Sequence, residues 1–173
     1  PIRVHCAGRT DTGVHASGQI IHFDAPVARS LKSWVMGSNT QLPDDIRVVW
    51  AERVADDFHS RFSALSRRYR YIICNTAVRP ALLHGLLTWH SKPLDAQLMH
   101  TEAQFLLGER DFTSFRAASC QSRTAMRNVH FVEISQRGQL VIIDIQANAF
   151  LHHRVRNIAG ALMAVGSGRK EEG

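Results

Sequence analysis

Apolar and polar residues alternate along several segments of this chain, and in other segments apolar residues recur every three or four positions. Strict alternation is typical of half-buried strands, whereas the longer spacing is typical of helices. The alternating segments predict strands over residues 2–6, 19–23, 46–54, 67–73 and 86–90, and a hairpin of residues 129–135 and 139–147. The other segments predict helices over residues 31–37, 93–107 and 150–165. This order of elements favours an α+β fold on a largely antiparallel sheet.

The strand predicted over residues 67–73 has two different faces. Its alternation places Tyr69 and Tyr71 on one face and Arg68 and Arg70 on the other. On either side of residue 67 the chain shows strand, helix and further strand patterns. We therefore expect two similar lobes, an N-terminal one over residues 1–67 and a C-terminal one over residues 68–173.

The composition is that of a folded protein, with 173 residues, 45% apolar and 21% charged. No apolar run approaches the roughly 20 residues of a membrane helix. Three widely spaced cysteines argue against a zinc ribbon or a disulfide framework, and the adjacent His152 and His153 suit joint metal ligation poorly. We expect a reduced, cytoplasmic protein without a membrane segment. The first residue is not Met, which suggests a fragment of a longer protein.

Basic residues outnumber acidic residues by 21 to 15, which gives a formal net charge of +6. Of these 21 basic residues, 18 are Arg, whose planar guanidinium pairs with phosphate and stacks on aromatic rings. This favours a nucleic-acid partner, RNA at least as much as DNA. Composition alone equally allows a basic enzyme from a genome that encodes Arg in place of Lys.

A polar loop between the first two predicted strands contains Arg9, Asp11 and Gly13. An Asp between Thr and Gly is a common turn former, because its carboxylate bonds nearby backbone N–H groups. A neighbouring guanidinium, however, keeps a carboxylate ionised even when a substrate closes over it. Such a carboxylate is a competent nucleophile or base, so the residues alone leave both interpretations of Asp11 open.

Four motifs follow one another along almost the whole chain. They are GRTDTGVHASGQIIHF (residues 8–23), FS with RRYRY (62–63 and 67–71), GERDFTSF (108–115) and AFLHHRVRN (149–157). In this order they resemble the motifs of the tRNA pseudouridine synthase A family. Members of that family are longer at both ends, so the resemblance implies that this chain is a core fragment lacking both ends.

The resemblance implies that Asp11 is the catalytic carboxylate of an isomerase that converts uridine to pseudouridine. This reaction breaks the N-glycosidic bond, turns the base and joins C5 to the ribose. No outside atom enters and no redox change occurs, so we expect no cofactor and no metal. The carboxylate would either add to the sugar or base, or abstract a ribose proton, and the sequence does not choose among these routes.

Three further residues are implied to bind the substrate. Tyr69 matches the active-site tyrosine, which would stack on the uracil; the alternative is a strand aromatic that faces the core. Arg156 matches the arginine of the last motif, which would pair with Asp11; the alternative is a phosphate-binding or surface arginine. Arg9 would face RNA or support the Asp11 loop.

The resemblance also implies a pseudouridine synthase fold, with a mostly antiparallel mixed sheet, flanking helices and a central cleft between two similar lobes. The substrate would be tRNA, modified at positions 38–40 of the anticodon stem-loop after the target base is flipped out. The enzyme would be a homodimer, and some of Arg67, Arg68 and Arg70 would reach phosphates. The alternative is a catalytically inactive RNA-binding module. A hydrolase with an Asp nucleophile, which would need no RNA, is a weaker alternative.

Overall fold

The computed structural model of the chain describes residues 2–111, 126–149 and 154–168. The chain forms two compact units, Pro1–Ala64 and Leu65–Gly173. The described strands are β1 (His5–Cys6), β2 (Ile21–His22), β3 (Arg67–Asn75), β4 (Thr88–His90), β5 (Gly108–Asp111), β6 (Met126–Arg137) and β7 (Leu140–Ala147). The described α-helices are α1 (Leu31–Asn39), α2 (Ala96–Ala103) and α3 (Arg154–Gly166). The two units divide in front of β3, whereas the predicted boundary of the lobes lies just after Arg67, the first residue of that strand.

The first unit contains β1, β2 and α1. The two short strands pair antiparallel, with His5 opposite His22. Helix α1 begins after Ser30, whose hydroxyl oxygen accepts the backbone N–H of Ser33 at 3.1 Å and so satisfies an amide of the first turn. At the other end of the helix, the Asn39 side chain exchanges two hydrogen bonds of 2.8 Å with the backbone of Val48. These bonds fix the chain that follows the helix.

The strand predicted over residues 46–54 is wrong. The segment belongs to no helix or strand, and its apolar side chains are largely exposed, Val49 by 79% and Trp50 by 59%. An alternating segment becomes a strand only when a neighbouring strand takes up its backbone N–H and C=O groups. Among the described residues, no strand pairs with this segment.

The second unit is built on a five-stranded mixed sheet in the order β4-β3-β7-β6-β5. Strands β3 and β4 are parallel, and all other neighbours are antiparallel. The hairpin of β6 and β7 is the predicted one, and its turn contains Gly138 at a φ of +58°. The α+β class and the mostly antiparallel mixed sheet are therefore confirmed. The likeness of the two lobes and the cleft between them stay predictions.

Helices α2 and α3 pack on one face of this sheet. The core between them is formed by apolar residues of the three central strands and of both helices. Its most deeply buried large side chains are Ile73, Met99, Val141, Ile143, Ile145 and Ile158. Arg68 and Arg70 alternate with this buried face and are exposed, as the pattern predicts.

Helix α2 begins later than the sequence predicts. The spacing places Pro93 in the first turn, but Asp95 is the N-cap and accepts the backbone N–H of Leu98 at 2.9 Å. A carboxylate at this position satisfies an amide that the helix leaves unpaired, so the helix starts at the next residue. It ends at Ala103, and Gly108 begins a strand instead of closing the helix.

Parts of two motifs lie outside the described residues. The unassigned ranges 112–125 and 150–153 include the end of GERDFTSF and the pair His152 and His153, so the expectation for this pair stays a prediction. In the part of the chain that the structure describes, no helix has the length and apolar character needed to cross a bilayer.

Candidate active site

The loop that carries Asp11 connects β1 to β2 and is closed at its base by two sets of hydrogen bonds. The backbone N–H of Ala7 donates to the carbonyl oxygen of Ile20 at 2.8 Å. One step further out, the side-chain amide of Gln19 donates to the carbonyl oxygen of Gly8 at 2.6 Å and accepts its N–H at 3.4 Å. The loop is therefore held at both of its ends.

Asp11 lies in a turn within this loop and is partly buried. Its main-chain carbonyl oxygen accepts the N–H of Val14 at 3.0 Å, and Gly13 has a φ of +79°, a conformation that favours glycine. This turn is closed by backbone atoms that any residue at position 11 would supply. The hydrogen bond that closes the turn therefore does not require the carboxylate. Arg9, two residues earlier, is exposed.

Tyr69 lies near the start of β3, opposite Ile145 of β7. Its side chain is partly buried and packs against the core, as the core-facing interpretation expects. Part of the side chain is accessible, so packing against the core leaves room for contact with a ligand. Two residues on, the hydroxyl oxygen of Tyr71 accepts the Thr88 hydroxyl at 2.8 Å.

Arg156 lies in the first turn of α3 and is exposed. Arg154 begins the same helix, whose first turn contains no acidic residue. A positive charge near a helix N-terminus opposes the helix dipole by about 0.3–1 kcal/mol. Arg156 therefore gains nothing from the helix dipole, and its position suits contact with an anion.

The four predicted site residues lie in both units. Asp11 and Arg9 share one loop of the first unit, whereas Tyr69 and Arg156 belong to β3 and α3 of the second. Strand β3 and helix α3 are in contact. The roles of the four residues stay predictions.

A carboxylate that the sequence analysis missed binds two arginines of β3. Oδ1 of Asp144 accepts Nε–H of Arg68 at 2.7 Å, and Oδ2 accepts Nη2–H of Arg68 and Nε–H of Arg70, each at 2.8 Å. The hydrogen bond from Arg68 lowers the pKa of Asp144, burial opposes this, and the hydrogen bond from Arg70 adds to it. Asp144 is 10% exposed, whereas the arginine side chains are 51% and 64% exposed. One nearly buried carboxylate thus fixes two guanidinium groups side by side at the surface.

The sequence contains one signal for this arrangement. Asp144 interrupts the apolar run of residues 140–145, and a carboxylate within such a strand needs a charged partner. A second group that the sequence analysis missed, in the first unit, brings together His5, His22, His59 and Ser60. These residues lie far apart along the chain and have no local signal.

Two surface hollows contain none of the predicted site residues. One, of about 280 Å³, lies between residues 90–92 and helix α3, and the other, of about 440 Å³, lies beside α1. His90 lines the smaller hollow, and within the described residues its buried Nε2 has no hydrogen-bond partner. In the same residues, no group of three or more His, Cys, Asp or Glu side chains could hold a metal ion.

The chain is similar to known proteins along nearly its whole length. Residues 103–173 match the family model described as tRNA pseudouridine synthase. The chain is 58% identical over 172 residues to tRNA pseudouridine synthase A of Legionella pneumophila (strain Corby). It is 57% identical over 166 residues to the protein of that name in Hydrogenovibrio crunogenus, and 56% over 170 residues to that in Actinobacillus pleuropneumoniae serotype 3.

These matches cover 99%, 96% and 98% of this chain but 66%, 63% and 65% of the three relatives. The chain thus spans just under two thirds of their length. The matching residues include the loop of Asp11, the sheet of the second unit and helix α3. On this similarity, the chain belongs to the tRNA pseudouridine synthase A family.

Proposed function

We propose that this chain is the core of a tRNA pseudouridine synthase, an isomerase that converts uridine in tRNA to pseudouridine. Family membership supports the reaction class. The structural observation that carries the proposal is the position of Asp11, partly buried on a loop that is anchored at both ends and whose turn is closed by backbone atoms. A carboxylate on such a loop is held in place and, once ionised, is a competent nucleophile or base.

In this reaction the C1′–N1 bond of uridine breaks and a C1′–C5 bond forms. The proton on C5 leaves and N1 gains a proton, so the atoms and electrons balance without a co-reactant. Asp11 acts either as the nucleophile that adds to the sugar or base, or as the base that removes a ribose proton. Both roles need an ionised carboxylate held close to the nucleoside.

We assign substrate binding to residues of the second unit as well. Tyr69 stacks on the uracil with the accessible part of its ring. Arg156, in the first turn of α3, pairs with an anion of the substrate, because a positive charge there is not satisfied by the helix dipole. Arg68 and Arg70, which Asp144 holds side by side, face the phosphate backbone.

Three finer statements belong to the same proposal. The modified uridines lie at positions 38–40 of the anticodon stem-loop, Arg9 faces the RNA, and the active protein is a homodimer. Mapping pseudouridine in treated tRNA by carbodiimide labelling and primer extension tests the positions. Sedimentation equilibrium of the chain tests the dimer, and a monomer at all protein concentrations would contradict it.

The decisive experiment measures tritium release from tRNA that contains 5-tritiated uridine. Asp11→Asn keeps the size of the side chain but removes its charge, so we expect release to fall to background while tRNA binding is retained. Asp24→Asn is the matched control, because Asp24 is an exposed carboxylate of the same unit outside the loop, and it should leave release unchanged. Normal turnover by Asp11→Asn would disprove the assignment.

The competing proposal is an RNA-binding module without catalytic activity. The observation in its favour is that the chain spans only 66% of its Legionella relative. In that case the intact chain binds tRNA in a salt-sensitive complex but releases no tritium. The two proposals therefore differ in one measurement on the unmodified chain.

A further inference from the structure

Three histidines from separate segments of the first unit form one cluster. His5 of β1 and His22 of β2 stack with their ring centroids 4.9 Å apart and their planes inclined by 13°. His59 lies edge-on to both rings, 4.5 Å from His22 and 5.2 Å from His5. Phe58 and Phe62 contact the outer sides of this cluster. The cluster lies at the base of the loop that carries Asp11, because the loop connects β1, which contains His5, to β2, which contains His22.

Ser60 ties this cluster to both strands and is 4% exposed. Its hydroxyl donates to the carbonyl oxygen of His5 at 3.2 Å and lies 2.9 Å from Nδ1 of His22. Its backbone N–H donates to the same Nδ1 at 3.1 Å. One residue of the 58–62 turn thus holds the strand that enters the Asp11 loop and the strand that leaves it.

The hydrogen bonds determine where the imidazole protons are. A ring nitrogen that accepts an N–H carries no proton. Nδ1 of His22 accepts from Ser60, and Nδ1 of His59 accepts the backbone N–H of Arg61 at 3.1 Å and that of Phe62 at 3.4 Å. With Nδ1 unprotonated, the His59 ring is neutral and carries its proton on Nε2. A second proton on His59 could bind only at Nδ1, where it would displace these backbone donors.

The surroundings of the cluster also disfavour protonation of His59. The titratable and charged groups that face His59 are His22 from β2, His5 from β1 and Arg61 from its own turn. Desolvation, followed by the charges of these three groups, lowers the pKa of His59. The added positive charge of a protonated His59 is disfavoured next to these groups, because like charges repel.

We propose that His5, His22, His59 and Ser60 form a pH-sensitive anchor that positions the loop carrying Asp11. The anchor holds while the His59 imidazole is neutral, and its protonation releases the 58–62 turn from β1 and β2. Ser60 and His22 are positioning residues, since they act through the loop and not on the substrate. The effect on catalysis rests on the proposed function, but the anchoring of the loop does not.

The direction of the pH dependence follows from the histidine pKa. When the anchor opens, His59 regains its ordinary pKa of 6.5, whereas in the anchored form its pKa is lower. The open form therefore binds more protons, and the stability of the anchor falls as the pH drops below about 6.5. Above this value the anchor has its full stability.

Amide hydrogen exchange of the full chain, corrected for the intrinsic rates, tests the anchor at about pH 7.5 and about pH 5.5. Protection of residues 5–7 and 20–22 should fall at the lower pH, by up to about tenfold for each unit of pKa difference that is expressed. Protection of the β6–β7 hairpin, in the other unit, should not change. Equal protection of the loop base at both pH values would overturn the proposal.

The double variant His22→Asn/His59→Asn separates titration from structure. The Asn side-chain oxygen can accept the same backbone N–H groups but does not titrate, so the loop base should keep its protection at low pH. His84→Asn is the control, because His84 is an exposed histidine of the second unit, and it should retain the full pH effect. Loss of protection in the double variant equal to that of the parent chain would contradict the proposal.

Two further measurements keep the test decisive. Ser60→Ala removes only the hydroxyl bonds and should weaken protection of the loop base even at about pH 7.5. Unchanged protection would argue against the positioning role of Ser60.

In the tritium-release assay, the activity of the parent chain should fall below about pH 6.5, and the Asn double variant should not show this loss of activity at low pH. If no variant releases tritium at any pH, the proposed function fails, while hydrogen exchange still decides the anchor.

Discussion

Asp144 shows how one side chain arranges its neighbours. It binds Arg68 through both carboxylate oxygens and Arg70 through one. The Arg68 guanidinium also lies 5.2 Å from the centre of the Phe131 ring, within the range of a cation–π contact. The two arginines are thus held in a fixed orientation at the surface, which favours their use in binding phosphate.

Replacing this carboxylate tests its contribution to stability. Asp144→Asn removes the negative charge that two guanidinium groups share, and both arginines are exposed enough to be solvated afterwards. We therefore expect a loss of about 1–2 kcal/mol in the free energy of unfolding near pH 7, measured by urea denaturation. Glu133→Gln, at the exposed position opposite Asp144 on β6, should change it by less than about 0.5 kcal/mol.

The lowered pKa of Asp144 predicts how this contribution depends on pH. The carboxylate stabilises the folded state fully above its ordinary pKa of 3.8, and this contribution is lost as the pH falls through the lower pKa of the folded state. The parent chain and Asp144→Asn should therefore converge in stability at strongly acidic pH. A constant difference between them at all pH values would contradict this origin.

Helices α2 and α3 meet closely at a glycine. The backbone N–H of Asp95 donates to the carbonyl oxygen of Gly166 at 2.9 Å. A Cβ at position 166 would lie 2.6 Å from Cγ and from Sδ of Met99 and 3.4 Å from Leu94. Because Met99 is fully buried, its side chain has little room to move away. The absence of a side chain at Gly166 is thus a condition of this helix contact.

Two alanine substitutions in the same helix should have opposite effects. Gly166→Ala overpacks the contact with Met99 and should lower the free energy of unfolding by about 1–3 kcal/mol. Gly160→Ala, at an exposed position where a Cβ meets no atom within 4 Å, should raise it by about 0.5–1 kcal/mol, because Ala is the better helix former. Thermal or urea denaturation of both variants measures the difference, and equal effects would contradict the packing argument.

At the scale of the whole molecule, the net charge of +6 bears on the proposed binding of RNA more than on the fold. Contacts between arginine and phosphate release counterions, so affinity falls as salt is raised. A complex with about six phosphate contacts would bind tRNA about 10³-fold more weakly at 200 mM than at 50 mM salt. Fluorescence anisotropy with labelled tRNA measures this dependence. Binding that does not respond to salt would argue against an electrostatic RNA interface.

Much of the second unit was predictable because its elements depend on local patterns. The two faces of β3, the β6–β7 hairpin and the apolar face of α3 follow from alternation or from helical spacing within a few residues. The loop of Asp11 was likewise predicted as a polar loop between two strands, and the structure adds that Gly13 has a φ of +79°, which favours glycine. The start of α2 was misplaced because the Asp95 cap determined it, and not Pro93.

The sequence by itself determined the elements that rest on local periodicity, the family resemblance and the candidate role of Asp11. Only the tertiary structure decided which distant residues meet: Arg68 and Asp144 lie 76 positions apart, and His22 and Ser60 lie 38 positions apart. It also decided that residues 46–54, despite their alternation, form no strand. The physical reason is that ion pairs, hydrogen-bonded imidazoles and strand pairing each need a partner from elsewhere in the chain, and local periodicity carries no information about that partner.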